Sequence, residues 1–159
     1  MSLVVIKSAL ASDGERLDPS ALTVGDLVAW LYSGRFNGPE ATLARVSRLT
    51  PTQVVTHTIG RGLEYRFDRE TGRMRGERGW GVYLMHPNDP RVVRARVLRI
   101  ARVALQGVET VTRTASCKDV DTATGHLENV RTIINSALDR MAKLLTATPD
   151  SLIPERDES

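Results

Sequence analysis

The amino-acid sequence predicts an α+β fold, a small antiparallel β-barrel followed by a C-terminal helical hairpin. Three observations predict it. Short segments from Val24 to Asp68 are bounded by Gly, Pro, Asp or Asn and carry alternating or β-branched apolar residues. Beyond Asn88 the apolar spacing changes to three or four residues. A single stripe of Leu127, Val130, Ile134, Leu138, Met141 and Leu145 then runs toward a stop at Thr148-Pro149.

Residues 1–22 read as an N-terminal arm, with a short strand offered at Leu3–Ile6 and turns at Asp13-Gly14 and Leu17-Asp18-Pro19-Ser20. Gly25-Asp26 turns into the first strand of a barrel placed at 23–87. Leu27, Ala29 and Leu31 share one face of that strand, and Val28, Trp30 and Tyr32 the other, so one face is core and the outer one is partly covered. Ser33 to Pro39 reads as a loop with Phe36 at its tip, where an aromatic packs back on the barrel more often than it binds. Leu43, Arg45, Ser47 and Leu49 alternate against Ala44, Val46 and Arg48, the pattern of a half-buried strand. Thr50-Pro51-Thr52-Gln53 turns into Val54–Ile59, which is β-branched apart from His57. Past Gly60-Arg61-Gly62, Tyr65 and Phe67 point one way and Arg66 the other. Asp68 to Gly79 has no apolar period and reads as a loop or ragged hairpin bent at Thr71-Gly72; Trp80–Met85 reads as a closing strand. About five twisted strands closing on themselves leave no open edge.

Residues 88–147 read as the helical hairpin. Asn88 or Asp89 caps the first helix and Pro90 takes its first position. Val93, Val97, Ile100, Ala101, Ala104 and Val108 follow at helical spacing, with arginines mostly to the other side. Val93 to Val97 also alternates as a strand would, but the longer period favours helix. Ser116-Cys117-Lys118-Asp119 has the form of a capping box, with Gly125 as a later start or a bend. The stripes must pair with each other, with the barrel or with a second subunit. Residues 148–159 read as a disordered tail.

Composition narrows the classes. Arginine far outnumbers lysine, and residues 61–102 hold 11 Arg against 5 Asp or Glu, whereas 121–159 hold 4 Lys or Arg against 7 acids. A basic middle and an acidic end suit different partners, or each other. The single cysteine, Cys117, excludes an intrachain disulfide and a cysteine metal cluster. No leader pattern and no stretch of about 18 apolar residues stands out, so the expectation is a cytoplasmic protein without a membrane segment.

No catalytic set emerges, and neither a cofactor nor a metal is expected. His57, His86 and His126 are far apart, Cys117 has no base near it in sequence, and the glycines from Gly72 to Gly81 do not make a phosphate loop. The strongest candidate surface is Arg61, Arg66, Arg69, Arg73, Arg75 and Arg78 interleaved with Tyr65, Phe67, Trp80 and Tyr83. Arginines there can hold phosphates while exposed aromatics stack bases. The plainer reading puts the aromatics inside the barrel and pairs the arginines with Glu64, Asp68, Glu70 and Glu77. The second candidate is the stripe Leu127, Val130, Ile134, Leu138, Met141 and Leu145, as helix packing or an oligomer interface.

Gly25-Asp26-Leu27-Val28 resembles the "G-D-x-V" opening of small SH3-like barrels in ribosomal and transcription-associated modules, and Ala44 to Val55 resembles the hairpin that follows it. Tyr65 to Arg73 looks like the "F-x-x-x-T-G" ending of small bacteriophage proteins. The resemblance covers residues 24–73 and implies a barrel, a phage origin and no enzyme. Two functions are therefore expected. One is a non-enzymatic protein-interaction or assembly module that binds a protein partner or itself; the other is a nucleic-acid binding module using residues 61–80.

Overall fold

The computed structural model describes residues 17–34, 38–76, 81–115 and 120–146. Four strands, Leu27–Gly34 (β1), Gly38–Leu49 (β2), Gln53–Thr58 (β3) and Glu64–Asp68 (β4), form an open antiparallel sheet in the order β1-β2-β3-β4. Two helices follow, Pro90–Thr114 (α1) and Val120–Thr146 (α2). The fold is α+β. Helix, and not strand, holds from Pro90 onward, because the three-to-four period persists over 25 residues and Gly107 does not interrupt it. The suggested strand at Leu3–Ile6, the Phe36 loop tip, the capping box at Ser116–Asp119 and the tail lie outside the described residues.

The sheet packs aromatic side chains against one another on one face. Trp30 on β1 packs its ring 5.1 Å from that of Tyr65 and 5.1 Å from that of Phe67, both on β4. Rings from the first and last strands can meet only if the sheet is strongly coiled. Val28, Ala44, Val46, Val54, Val82 and Leu84 complete the buried cluster, with Leu17, Leu49, Tyr65 and Met74 packed against it. Each fully buried Val or Phe in such a cluster is worth about 1.5–3 kcal/mol. Ala29 and Val55, which point to the reverse side of the sheet, are buried too, as are Val92 and Ala95 at the start of α1.

Strict alternation breaks down in β2. Pairing with β3 slips between Val46 and Arg48, which places Ser47 in a bulge whose hydroxyl donates to the Val55 carbonyl at 3.2 Å. The extra residue resets the pleat, so Ala44 and Val46 and then Leu49 all address the core. The expected face, with Leu43, Arg45, Ser47 and Leu49 together, is corrected by that one residue.

The expected fifth strand at Trp80–Met85 is also corrected. Residues 77–80 lie outside the described set, and Tyr83 and Met85 make isolated bridges, to Arg73 and Ala29. The ladders end after one bridge each. Their hydrogen bonds are well formed: Met74 N–H donates to the Val82 carbonyl (2.9 Å), Leu84 N–H to that of Gly72 (2.9 Å), and Ala29 and Met85 exchange bonds of 3.0 and 2.7 Å.

The bend expected at Thr71-Gly72 is built by Asp68. Its Oδ1 accepts from the Glu70 and Thr71 N–H groups and from the Thr71 hydroxyl, at 3.1, 2.9 and 3.0 Å. Gly72 closes the turn with φ +68, and a side chain there would sit 3.0 Å from Pro19 Cγ. At the start of α1, Asp89 is the cap: its Oδ1 accepts from the Arg91 N–H at 2.9 Å, and Pro90 follows it.

The chain divides within α1 into two compact units, one ending at Arg96 and the other beginning at Val97. In the second unit α1 and α2 pack side by side. A side chain at Gly107 would touch Ile133 at an ordinary 3.5 Å. Ile100, Ala104 and Gly107 share a groove of about 350 Å³ with Ile133, Ala137 and Arg140. The lower numbers of α1 meet the higher numbers of α2, as an antiparallel hairpin requires.

Two glycines should respond in opposite directions. Gly72→Ala forces a left-handed φ on a residue with a side chain and crowds Pro19, so it should cost about 1–3 kcal/mol in urea unfolding. Gly125→Ala adds a side chain that meets nothing within 4 Å. It should stabilise the helical signal by about 0.5–1 kcal/mol.

Candidate functional site

The arginine-rich surface is shaped by carboxylates. Arg66 Nε donates to Glu64 Oε1 at 2.9 Å across one step of β4, and Glu64 also faces His57 on β3 at 3.7 Å. Arg75 reaches back to Asp68 Oδ2 at 2.9 Å and to the Thr52 carbonyl at 3.2 Å. Arg69 donates to the Thr50 carbonyl at 3.0 Å, which ties β4's end to the β2–β3 turn. Arg61 and Arg73 are exposed. Arg78 and Trp80 lie outside the described residues.

The aromatics divide differently from the interleaved pattern in sequence. Tyr65 and Phe67 belong to the Trp30 cluster. Tyr83 is exposed and lines a shallow concavity with Asp68, Glu70, Thr71, Arg73, Met74 and Arg75. This hollow therefore mixes both signs of charge around one tyrosine. Among the described residues it holds one aromatic ring, not the run of stacking rings that a single strand of nucleic acid uses.

The helical hairpin presents the other surface. Its predicted stripe splits by depth. Leu127, Ile134 and Leu138 are 70%, 45% and 54% exposed, whereas Val130, Met141 and Leu145 are half-buried. Successive helix residues turn by roughly 100°. With Ile133 and Ala137 directed at α1, the side chains of Leu127, Ile134 and Leu138 fall on a neighbouring face. The same turn, taken from Gly107 at the contact, puts Leu98 and Leu105 of α1 roughly 180° and 160° round the helix, on its side away from α2. Both are exposed, Leu105 at 69%. Sequence reading missed Leu98 and Leu105 because it followed the stripe that α1 turns toward α2. Their seven-residue separation was the available signal.

Comparison with known proteins finds no matching family, no matching curated protein and no matching solved structure. Among the described residues no group of His, Cys, Asp and Glu is placed to hold a metal ion, and no helix is long and apolar enough to cross a membrane.

Two carboxyls that organise the sheet unit are held below their ordinary value of 3.8. For Asp68 the main cause is the Arg75 guanidinium, followed by the Thr71 N–H and hydroxyl. For Asp89 it is the Arg91 side chain, working against desolvation. A folded value below the unfolded one means that the stabilisation is complete above about pH 4 and is lost as the pH falls through the lower folded values. Asp89→Ala should therefore cost about 1–2 kcal/mol at pH 7, the usual loss of a cap. The gap from the parent protein should narrow in urea titrations below pH 4.

Proposed function

We propose that this chain is a non-enzymatic protein-interaction or assembly module, and that it takes its protein partner, a second copy included, on the leucine-bearing face of the helical hairpin. One observation carries this: Leu127, Ile134 and Leu138 are exposed together on one face of α2, next to the face on which Ile133 and Ala137 meet α1. Large apolar side chains gathered on one face mark interaction sites. The face is built on regular helices, so its anchors are positioned before a partner arrives.

In this reading the sheet unit is a small closed SH3-like barrel. The single bridges Phe67–Met74, Arg73–Tyr83 and Ala29–Met85 support closure, since they link β4 through residues 73–85 back to β1. The nucleic-acid reading keeps less support. Arg66 and Arg75 already meet Glu64 and Asp68, and Tyr65 lies against Trp30. Among the described residues of that surface, Arg61, Arg73 and Tyr83 stay suited to a phosphate or a base.

A photoreactive residue in place of Leu127 or Leu138, used in cells that make the protein, should yield protein adducts. The same residue at Arg61 should not. Adducts only with nucleic acid, or none at the hairpin positions, would sink the reading. In parallel, single-stranded DNA or RNA at low salt should show no binding that Arg61→Glu with Arg73→Glu abolishes. These two positions avoid Arg75, whose loss would disturb the Asp68 turn.

A further inference from the structure

We infer that the outer edge of β1 is a strand-accepting site, and that residues Leu3-Val4-Val5-Ile6 of the same chain occupy it.

The hydrogen-bond pattern defines the edge. Ala29 directs its N–H and C=O away from β2, and exchanges bonds of 3.0 and 2.7 Å with Met85. Along a strand the backbone groups of alternate residues point the same way. β1 keeps unbroken register with β2 from Leu27 to Gly34. Leu31 and Ser33 therefore turn their N–H and C=O groups to the same side as Ala29. Among the described residues nothing bonds to those groups. Tyr83 would stand opposite Leu31 if the pairing ran on from Met85, but its bridge is to Arg73. The edge is open beyond one closed pair, and an open edge is a template for another strand.

The two faces of β1 say what fits beside it. Val28 and Trp30 are buried on one face and Ala29 on the other, with Leu31 half-buried after it. A strand laid against β1 meets apolar surroundings on both sides. Strands covered on both faces read as continuous apolar runs, not as alternations. Leu3-Val4-Val5-Ile6 is such a run, ended by Lys7. Val4, Val5 and Ile6 are β-branched and favour extended backbone.

The other edges suit this segment less. On β4 the outward groups of Arg66 and Asp68 already bond to Arg75 and Arg73, which leaves Glu64 beside the Arg66 guanidinium. On β2, beyond its pairing with β3, Pro39 has no N–H to give.

Reach agrees. Leu17 packs against the cluster that holds Trp30, the residue before Leu31. The chain from Ile6 to Leu17 spans up to about 36 Å. That exceeds the roughly 27 Å length of β1 itself.

Amide hydrogen exchange, read residue by residue on the full chain, tests the assignment. The Leu31 and Ser33 amides should exchange roughly tenfold or more slowly in the parent protein than in the Val4→Asp, Val5→Asp double variant. The Ala29 amide, held by Met85, should keep its rate in both, which shows that the sheet is folded. Val4→Ile with Val5→Ile should retain the protection. Free exchange at Leu31 and Ser33 in the parent protein would overturn the proposal, as would protection that survives the aspartates unchanged. Protection that fades on dilution would give the edge to the segment of another copy and overturn it too.

Discussion

The contact of Trp30 with Tyr65 and Phe67 is the constraint on which the sheet unit depends. It joins the strand at one end of the sheet to the strand at the other, so four strands must coil tightly enough to bring them together. The less obvious features of the sequence serve this coiling. The bulge at Ser47 bends β2, the strand next to Trp30's own. Gly25, with φ +98, lets the chain enter β1 while its N–H donates to the Val46 carbonyl at 2.8 Å. Gly72 allows the chain beyond β4 to double back over the core, where Val82 and Leu84 are buried. A flat sheet of the same residues would leave the indole on an open face.

Electrostatics on this unit follow from the same geometry. Strands and tight turns fix Glu64 two residues from Arg66 and bring Asp68 to Arg75 across the bend. These arginines therefore act first on their own backbone and neighbours. Exposed pairs of this kind contribute little to stability individually. Their effect on chemistry is larger. They occupy donors that a phosphate would need, and in the case of Asp68 they fasten a turn that also needs its N–H bonds. An arginine excess counted along the sequence thus overstates the positive charge available to a ligand.

Much of this was legible in the residues. The four strand segments, the turn at Thr71-Gly72, the cap at Asp89-Pro90 and both helices follow from local chemistry, and local chemistry dictated them. What was illegible depends on contacts between distant segments. Ser47 looks like one more alternating position until the slip from the Val46–Thr56 pair to the Arg48–Val55 pair leaves it in a bulge. Tyr65 and Tyr83 look equivalent beside their arginines; only the position of Trp30 draws one inward and leaves the other at the surface. The stripe from Leu127 to Leu145 was plain, but its division into a half turned to α1 and a half turned outward needed the Gly107–Ile133 contact.

That division states what the hairpin requires. The side where α1 meets α2 mixes Ile100, Val103 and Ile133 with small residues, Ala104, Gly107, Ser136 and Ala137. The large side chains, Leu98, Leu105, Leu127 and Leu138, lie elsewhere. Helices of this length draw most of their stability from burying an apolar face, not from intrinsic propensity. The face that α1 and α2 leave uncovered is therefore part of their folding problem, and burying it would stabilise the helices that display it.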